Sequence, residues 1–86
     1  MSGLTDESTR EPHVVLYTRH GCHLCDQAHE LLIAHHLSPI VVDIDGDASL
    51  KAQFDTSVPV VEIDGRVRFR GHVDPLLLRR MMGGSA

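Results

Sequence analysis

Apolar positions along this chain follow two rhythms, unbroken or alternating runs and runs spaced for a helix, and the switches between them mark the elements. His13-Val14-Val15-Leu16-Tyr17-Thr18 is a short apolar run rich in β-branched residues and reads as a buried strand. Arg19-His20-Gly21 closes it as a loop. From Cys22 the rhythm changes. Leu24, Cys25, Ala28, Leu31 and Leu32 fall at i, i+1, i+4, i+7 and i+8, one apolar stripe of a helix, with Gln27 and Glu30 off it. His35 and His36 fall in the last turn, where an imidazolium suits the negative helix end, and Ser38-Pro39 is expected to stop the helix. Ile40-Val41-Val42-Asp43-Ile44 is a second strand, so the first half reads as a βαβ unit with parallel strands.

The second half adds a short helix capped by Asp47, with Leu50 and Phe54 as its i, i+4 pair. Val60-Val61-Glu62-Ile63 and Arg66-Val67-Arg68-Phe69-Arg70 flank Asp64-Gly65, a strong hairpin signal, so these strands are antiparallel. Strict alternation in the last strand predicts three arginines on one face and Val67 with Phe69 on the other. Asp74-Pro75 is an N-cap with Pro at the first helical position. Leu76, Leu77, Leu78, Met81 and Met82 supply the apolar side of a last helix, which Gly83 can end. The order is β-α-β-α-β-β-α, an α/β domain with a four-stranded mixed sheet flanked by helices.

Composition narrows this picture. Eighty-six residues make one small domain, expected over residues 13–82 between polar tails at 1–12 and 83–86. Such a domain needs a staple, but a disulfide between the only two cysteines, Cys22 and Cys25, closes so short a loop that it stabilises by about 2 kcal/mol at most. A reactive or metal-binding pair is the better reading. No charged segment followed by an apolar one marks the N-terminus, and the chain has no run of 18 apolar residues, so the expectation is a cytoplasmic, monomeric protein away from membranes. A net charge of −4 argues against nucleic-acid binding. The charge is uneven: residues 65–86 carry five arginines and one aspartate.

Cys-x-x-Cys between the first strand and helix of a βαβ pattern reads as a thioredoxin-like redox motif. Three stretches are similar to the glutaredoxin family in the same order: Tyr17-Thr18-Arg19-His20-Gly21-Cys22-His23-Leu24-Cys25, Ser57-Val58-Pro59, and Phe69-Arg70-Gly71-His72-Val73-Asp74. The chain departs from that family's pattern in three places. His23-Leu24 replaces Pro-Tyr between the cysteines, His20 stands where many members have Pro, and Arg70 replaces the first glycine of a Gly-Gly pair. The resemblance is therefore to a divergent glutaredoxin-like group. The short length and the absence of Trp set it apart from thioredoxin proper.

The resemblance implies a compact thioredoxin/glutaredoxin-like fold and a thiol-disulfide oxidoreductase. Cys22 is expected to attack, its thiolate favoured by the helix N-terminus and by Arg19, His20 and His23 nearby, and Cys25 to resolve the mixed disulfide. It also implies a cis Val58–Pro59 bond beside the cysteines, with the backbone of Val58 offered to substrate. Arg19, His23, Val58 and Pro59 would shape the substrate groove, Gly71, His72 and Asp74 would flank it, and Arg70 could meet a substrate carboxylate. Disulfide-containing proteins or mixed disulfides are the expected partners. No bound cofactor is expected, with glutathione or another low-molecular-weight thiol as electron donor. An alternative is a metal or iron–sulfur carrier using the same cysteines, with His29 at i+4 from Cys25 as a further ligand, although no fourth ligand is evident. Ferredoxin-like metallochaperones also carry Cys-x-x-Cys, but their order is β-α-β-β-α-β. A third reading is an interaction module whose dithiol has fallen out of use.

Overall fold

A computed structural model describes residues 12–83 and gives the expected element order. Its elements are β1 (Val14–Thr18), α1 (His23–Ala34), β2 (Ile40–Asp43), a 3-10 turn (Ile44–Gly46), α2 (Ala48–Phe54), β3 (Val60–Ile63), β4 (Arg66–Arg70) and α3 (Pro75–Gly83). The sheet order is β2-β1-β3-β4, with β1 parallel to β2 and antiparallel to β3, and β3 antiparallel to β4. The expected tails lie outside the described residues apart from Pro12 and Gly83, and Gly83 is the last residue of α3.

Alternation along β1 and β3 sends side chains to two unequal layers. Val14, Leu16, Val61 and Ile63 join Ala28 and Leu32 of α1, Phe69 of β4, and Val73 and Leu78 at α3. Tyr17 and Val60 point the other way, onto Ile44, Leu50 and Phe54. The two helices with the longer apolar stripes thus cover one face, and the short α2 covers part of the other. Each fully buried Leu or Ile contributes about 1.5–3 kcal/mol by leaving water, so the first layer carries most of the stability.

Local chemistry sets most boundaries. Asp47 accepts from the amides of Ser49 and Leu50 and starts α2. Asp74 does the same for α3 through the amides of Leu76 and Leu77. Asp64 and Gly65 both hold the positive φ that a tight hairpin demands, at 52° and 86°.

Five sequence expectations need correction. β2 ends at Asp43, whose carboxylate accepts from the amide of Asp45 and turns Ile44 into the 3-10 turn. α1 stops before Ser38-Pro39: His36 takes φ 63°, its amide donates to Ile33 O, and the amide of Leu37 reaches Leu32 O. That is a Schellman stop, sealed by the buried Leu37, and it leaves His35 and His36 beyond the last turn. In β4 the pairing slips by one residue, so Val67 faces Glu62 while Phe69 faces Val61. The bulge at Arg68 puts Val67 and Phe69 on opposite faces and ends the strict alternation. Leu24 is no part of the α1 stripe, being 49 % exposed. On α3, Leu78 is buried but Leu76 and Leu77 are exposed.

Candidate active site

The strand registers bring three loops to one end of the sheet. Thr18 pairs with Asp43, Tyr17 with Val60, and Val60 with Arg70. The chain therefore leaves β1 toward Cys22, enters β3 from Val58-Pro59, and leaves β4 toward Gly71, all at that end. The Val58–Pro59 bond is cis, as the resemblance implied. Pro59 is fully buried, and its carbonyl accepts from the amide of Gly71 at 2.7 Å. Gly71 has φ +75°, and a Cβ there would sit 3.9 Å from Ser57 O. The space is adequate, so the positive φ is what calls for glycine.

Cys22 caps α1. Its backbone is extended, and its Sγ accepts from the amide of Cys25 at 3.1 Å. One turn further in, Cys25 is 2 % exposed, while Cys22 is half-buried. The two sulfurs form a disulfide. The cap position gives the Cys22 sulfur the amide of Cys25, which has no acceptor within the helix, and the positive end of the helix dipole, both of which favour a negative sulfur. The sequence therefore makes two cysteines three apart chemically unequal by the place at which the helix begins.

The charged residues expected to help are used differently. Arg19 is clamped: its Nε and Nη2 donate to Asp45, its Nη2 also lies 2.8 Å from Asp55 Oδ1, and its Nη1 donates to Asp55 O. Hydrogen bonds to Asp45 and Asp55 hold its pKa well above the usual arginine value, and the same pair pulls the Asp45 carboxyl down. The cation that the sequence places beside Cys22 is thus neutralised by two carboxylates. It braces the β1–α1 loop against the turn after β2 and the end of α2. His23 is exposed in the first turn of α1. Arg70 lies with its guanidinium 5.6 Å from the centre of the Phe54 ring, on the α2 face of the sheet.

His72 lies beside α1, in a groove of about 240 Å³ that it shares with Leu24, Gln27, Leu31, Val73 and Pro75. Val58 packs against the Ile44, Phe54 and Val60 cluster. Among the described residues, no three His, Cys, Asp or Glu side chains gather closely enough to hold a metal ion. No described helix is long and apolar enough to cross a membrane. Sequence reasoning missed the partners of Arg19, since Asp45 and Asp55 are far from it along the chain. It also missed Leu24, whose apolar character pointed to the core.

The fold and the helix-capping disulfide place this molecule among the thioredoxin-like α/β proteins. Residues 13–82 match the glutaredoxin-like domain (DUF836), and the chain belongs to that family. It is similar to an uncharacterized protein of Mycobacterium tuberculosis, with 35 % identity over 77 residues and 79 % of each chain covered. Its fold matches a structural-genomics target protein from X. campestris, with TM-score 0.69 and 36 % identity over 85 % of this chain and 97 % of that one. A glutaredoxin from Archaeoglobus fulgidus shares the fold at TM-score 0.61 and 19 % identity, covering 87 % of this chain and 89 % of its own. Family and cysteine pair together support a function of the thiol-disulfide oxidoreductase kind.

Proposed function

We propose that this chain is an enzyme that exchanges disulfides through Cys22 and Cys25 in the cytoplasm, acting as a monomer. The observation that carries this reading is the asymmetry of the pair: a half-buried sulfur at the helix cap against a buried one a turn inside. In the dithiol state a Cys22 thiolate accepts the amide of Cys25 and lies at the positive helix end, which lowers its pKa. Cys25, in apolar surroundings, holds its proton until it is needed.

Cys22 attacks a substrate disulfide, forming a mixed disulfide and releasing one substrate sulfur as thiolate. Cys25 then loses its proton and attacks Cys22 Sγ, closing the disulfide and releasing the second substrate sulfur. Two molecules of glutathione or another small thiol restore the dithiol and leave as their own disulfide. Disulfide-containing proteins and mixed disulfides are the substrates. Val58 and Gly71 form one side of the substrate surface, with the buried Pro59 fixing the loop beneath them, and Leu24, His23 and His72 form the other. Asp74 fixes the loop by capping α3, and Arg70 offers a donor fork to a substrate carboxylate at that end of β4.

Mass spectrometry after exposing reduced protein to oxidised glutathione tests this. The expected product is a mixed disulfide on Cys22 in the Cys25→Ser variant and none on Cys25 in the Cys22→Ser variant. Capture by both variants alike, or full dithiol reductase activity in Cys22→Ser, overturns the assignment.

A further inference from the structure

Behind the disulfide, on the side away from His72, a cleft of about 570 Å³ opens between α1 and the β1–β2 edge of the sheet. Cys25 and His29 both line it. They are i and i+4 on α1, a spacing that places their Cβ atoms about 5–6 Å apart. Residues four apart share one helix face, so His29 stands one turn along from Cys25 on the side of α1 that faces the cleft. The half-exposed Val41 leaves the mouth of the cleft open to water.

The exchange proposed above has a proton problem at this sulfur. Cys25 must become a thiolate before it can attack, yet only 2 % of it is exposed, which leaves bulk water little access to it. In the reverse direction it leaves the disulfide as a thiolate in an apolar place and has to gain a proton. From this we infer that His29 is the proton acceptor and donor for Cys25, an assignment that rests on Cys22 being the nucleophile. When a mixed disulfide stands on Cys22, the Cys25 proton passes to the His29 ring, directly or through one water in the cleft. The Cys25 sulfur then forms its bond to Cys22 Sγ, and the bond from Cys22 to the substrate sulfur breaks with release of the substrate thiolate. His29 returns the proton to solvent. Reduction by a small thiol runs the same path backward, with the imidazolium protonating the departing Cys25 thiolate.

The other groups facing the cleft fit the role less well. Asp26 and Glu30 on α1 and Asp43 on β2 are carboxylates, a class of side chain less matched than imidazole to proton transfer near neutral pH. Arg19 is committed to Asp45 and Asp55. His20 enters from the loop rather than from the helix turn that carries Cys25. Imidazole is the side chain suited to moving a proton in the neutral range.

Stopped-flow mixing of the reduced full chain with dithiobis-nitrobenzoate separates the two steps. Cys22 releases the first equivalent of thionitrobenzoate, and closure by Cys25 releases the second. With His29→Gln the second phase is expected to slow by at least about 10-fold near neutral pH, a modest share of what general base catalysis supplies. It should rejoin the native rate above the ordinary thiol pKa of about 8.5, where solvent base suffices. The first phase should not change. Added imidazole should restore the second phase in His29→Ala. An unaltered second phase, loss in His20→Gln instead, equal slowing of both phases, or absence of rescue overturns the role of His29. A fast first phase retained in Cys22→Ser overturns instead the reading on which it rests.

Discussion

The two faces of the sheet are built to different standards. One face is packed against α1 and α3 through a continuous apolar layer in which Leu16, Leu32 and Leu78 have no exposed surface. It opens at the β1–β2 edge, by the half-exposed Val41. The other is covered only by α2, and its layer thins out through Tyr17, Glu62 and Arg70 to the half-exposed Ile40 and Val67. The candidate site sits where the two meet. Its cysteine helix belongs to the thick face, and Val58 belongs to the thin one. Rigid placement of Cys25 is thereby combined with a neighbouring loop that rests on the smaller apolar cluster through Val58, with Pro59 fully buried behind it.

The largest effect that separates the faces is a core truncation. Leu32→Ala should lower unfolding free energy by about 3–4 kcal/mol, whereas Leu50→Ala on the half-buried side of α2 should cost about 1 kcal/mol, both read from urea unfolding. Equal losses would mean the thin face is as well packed as the thick one. Next comes the α2 cap. Asp47→Ala removes the acceptor for two amides and should cost about 1 kcal/mol. Hydrogen exchange should then quicken across α2 while β1 and β3 stay protected, because the Asp47 cap acts on α2 alone.

A smaller effect depends on pH. Because the Asp45 carboxyl is pulled down in the folded state by Arg19, its contribution is full above the unfolded carboxylate value of about 4 and fades as pH falls through the folded value. Arg19→Gln should therefore be less stable than the native chain near neutral pH, with the gap closing on acidification in chemical unfolding. A gap independent of pH would show that the clamp does not act through Asp45. The raised pKa of Arg19 itself lies above the range in which the protein is handled, so its loss on alkalinisation goes unseen.

The smallest effect is spectroscopic. Burial, then the charge and hydrogen bond of Glu62, raise the pKa of Tyr17, the chain's one tyrosine. Its ultraviolet titration should lie above the ordinary value of about 10, and folding stability tied to it should be lost as pH rises past that value. Glu62→Gln should move the titration part of the way back. No movement would leave burial as the sole cause.

Features written in adjacent residues were legible in the sequence. Asp64-Gly65, Asp74-Pro75 and Asp47 each declare a turn or cap through their own backbone chemistry, and the Cys22 to Cys25 spacing declares the pair. What escaped depends on partners distant in sequence. Arg19 reads as a free cation beside the cysteines until folding brings Asp45 and Asp55 to it. Arg68 reads as one step of an alternation until β3 sets a register that one residue too many must bulge to meet. Leu24 has the spacing of a core residue, but unlike Cys25 beside it, it lies off the buried stripe, in the groove with His72 and Pro75. Its exposure next to His72 follows from the packing of the 71–74 loop, which no local pattern records.

The most direct test of the central claim is the alkylation of the reduced protein by iodoacetamide as a function of pH, with the modified cysteine identified by peptide mapping. The account predicts that Cys22 is labelled first, with an apparent pKa well below the ordinary thiol value of about 8.5, and that Cys25 is protected until the fold is opened. A Cys22 that titrates near that ordinary value, or equal labelling of the two cysteines, would contradict it.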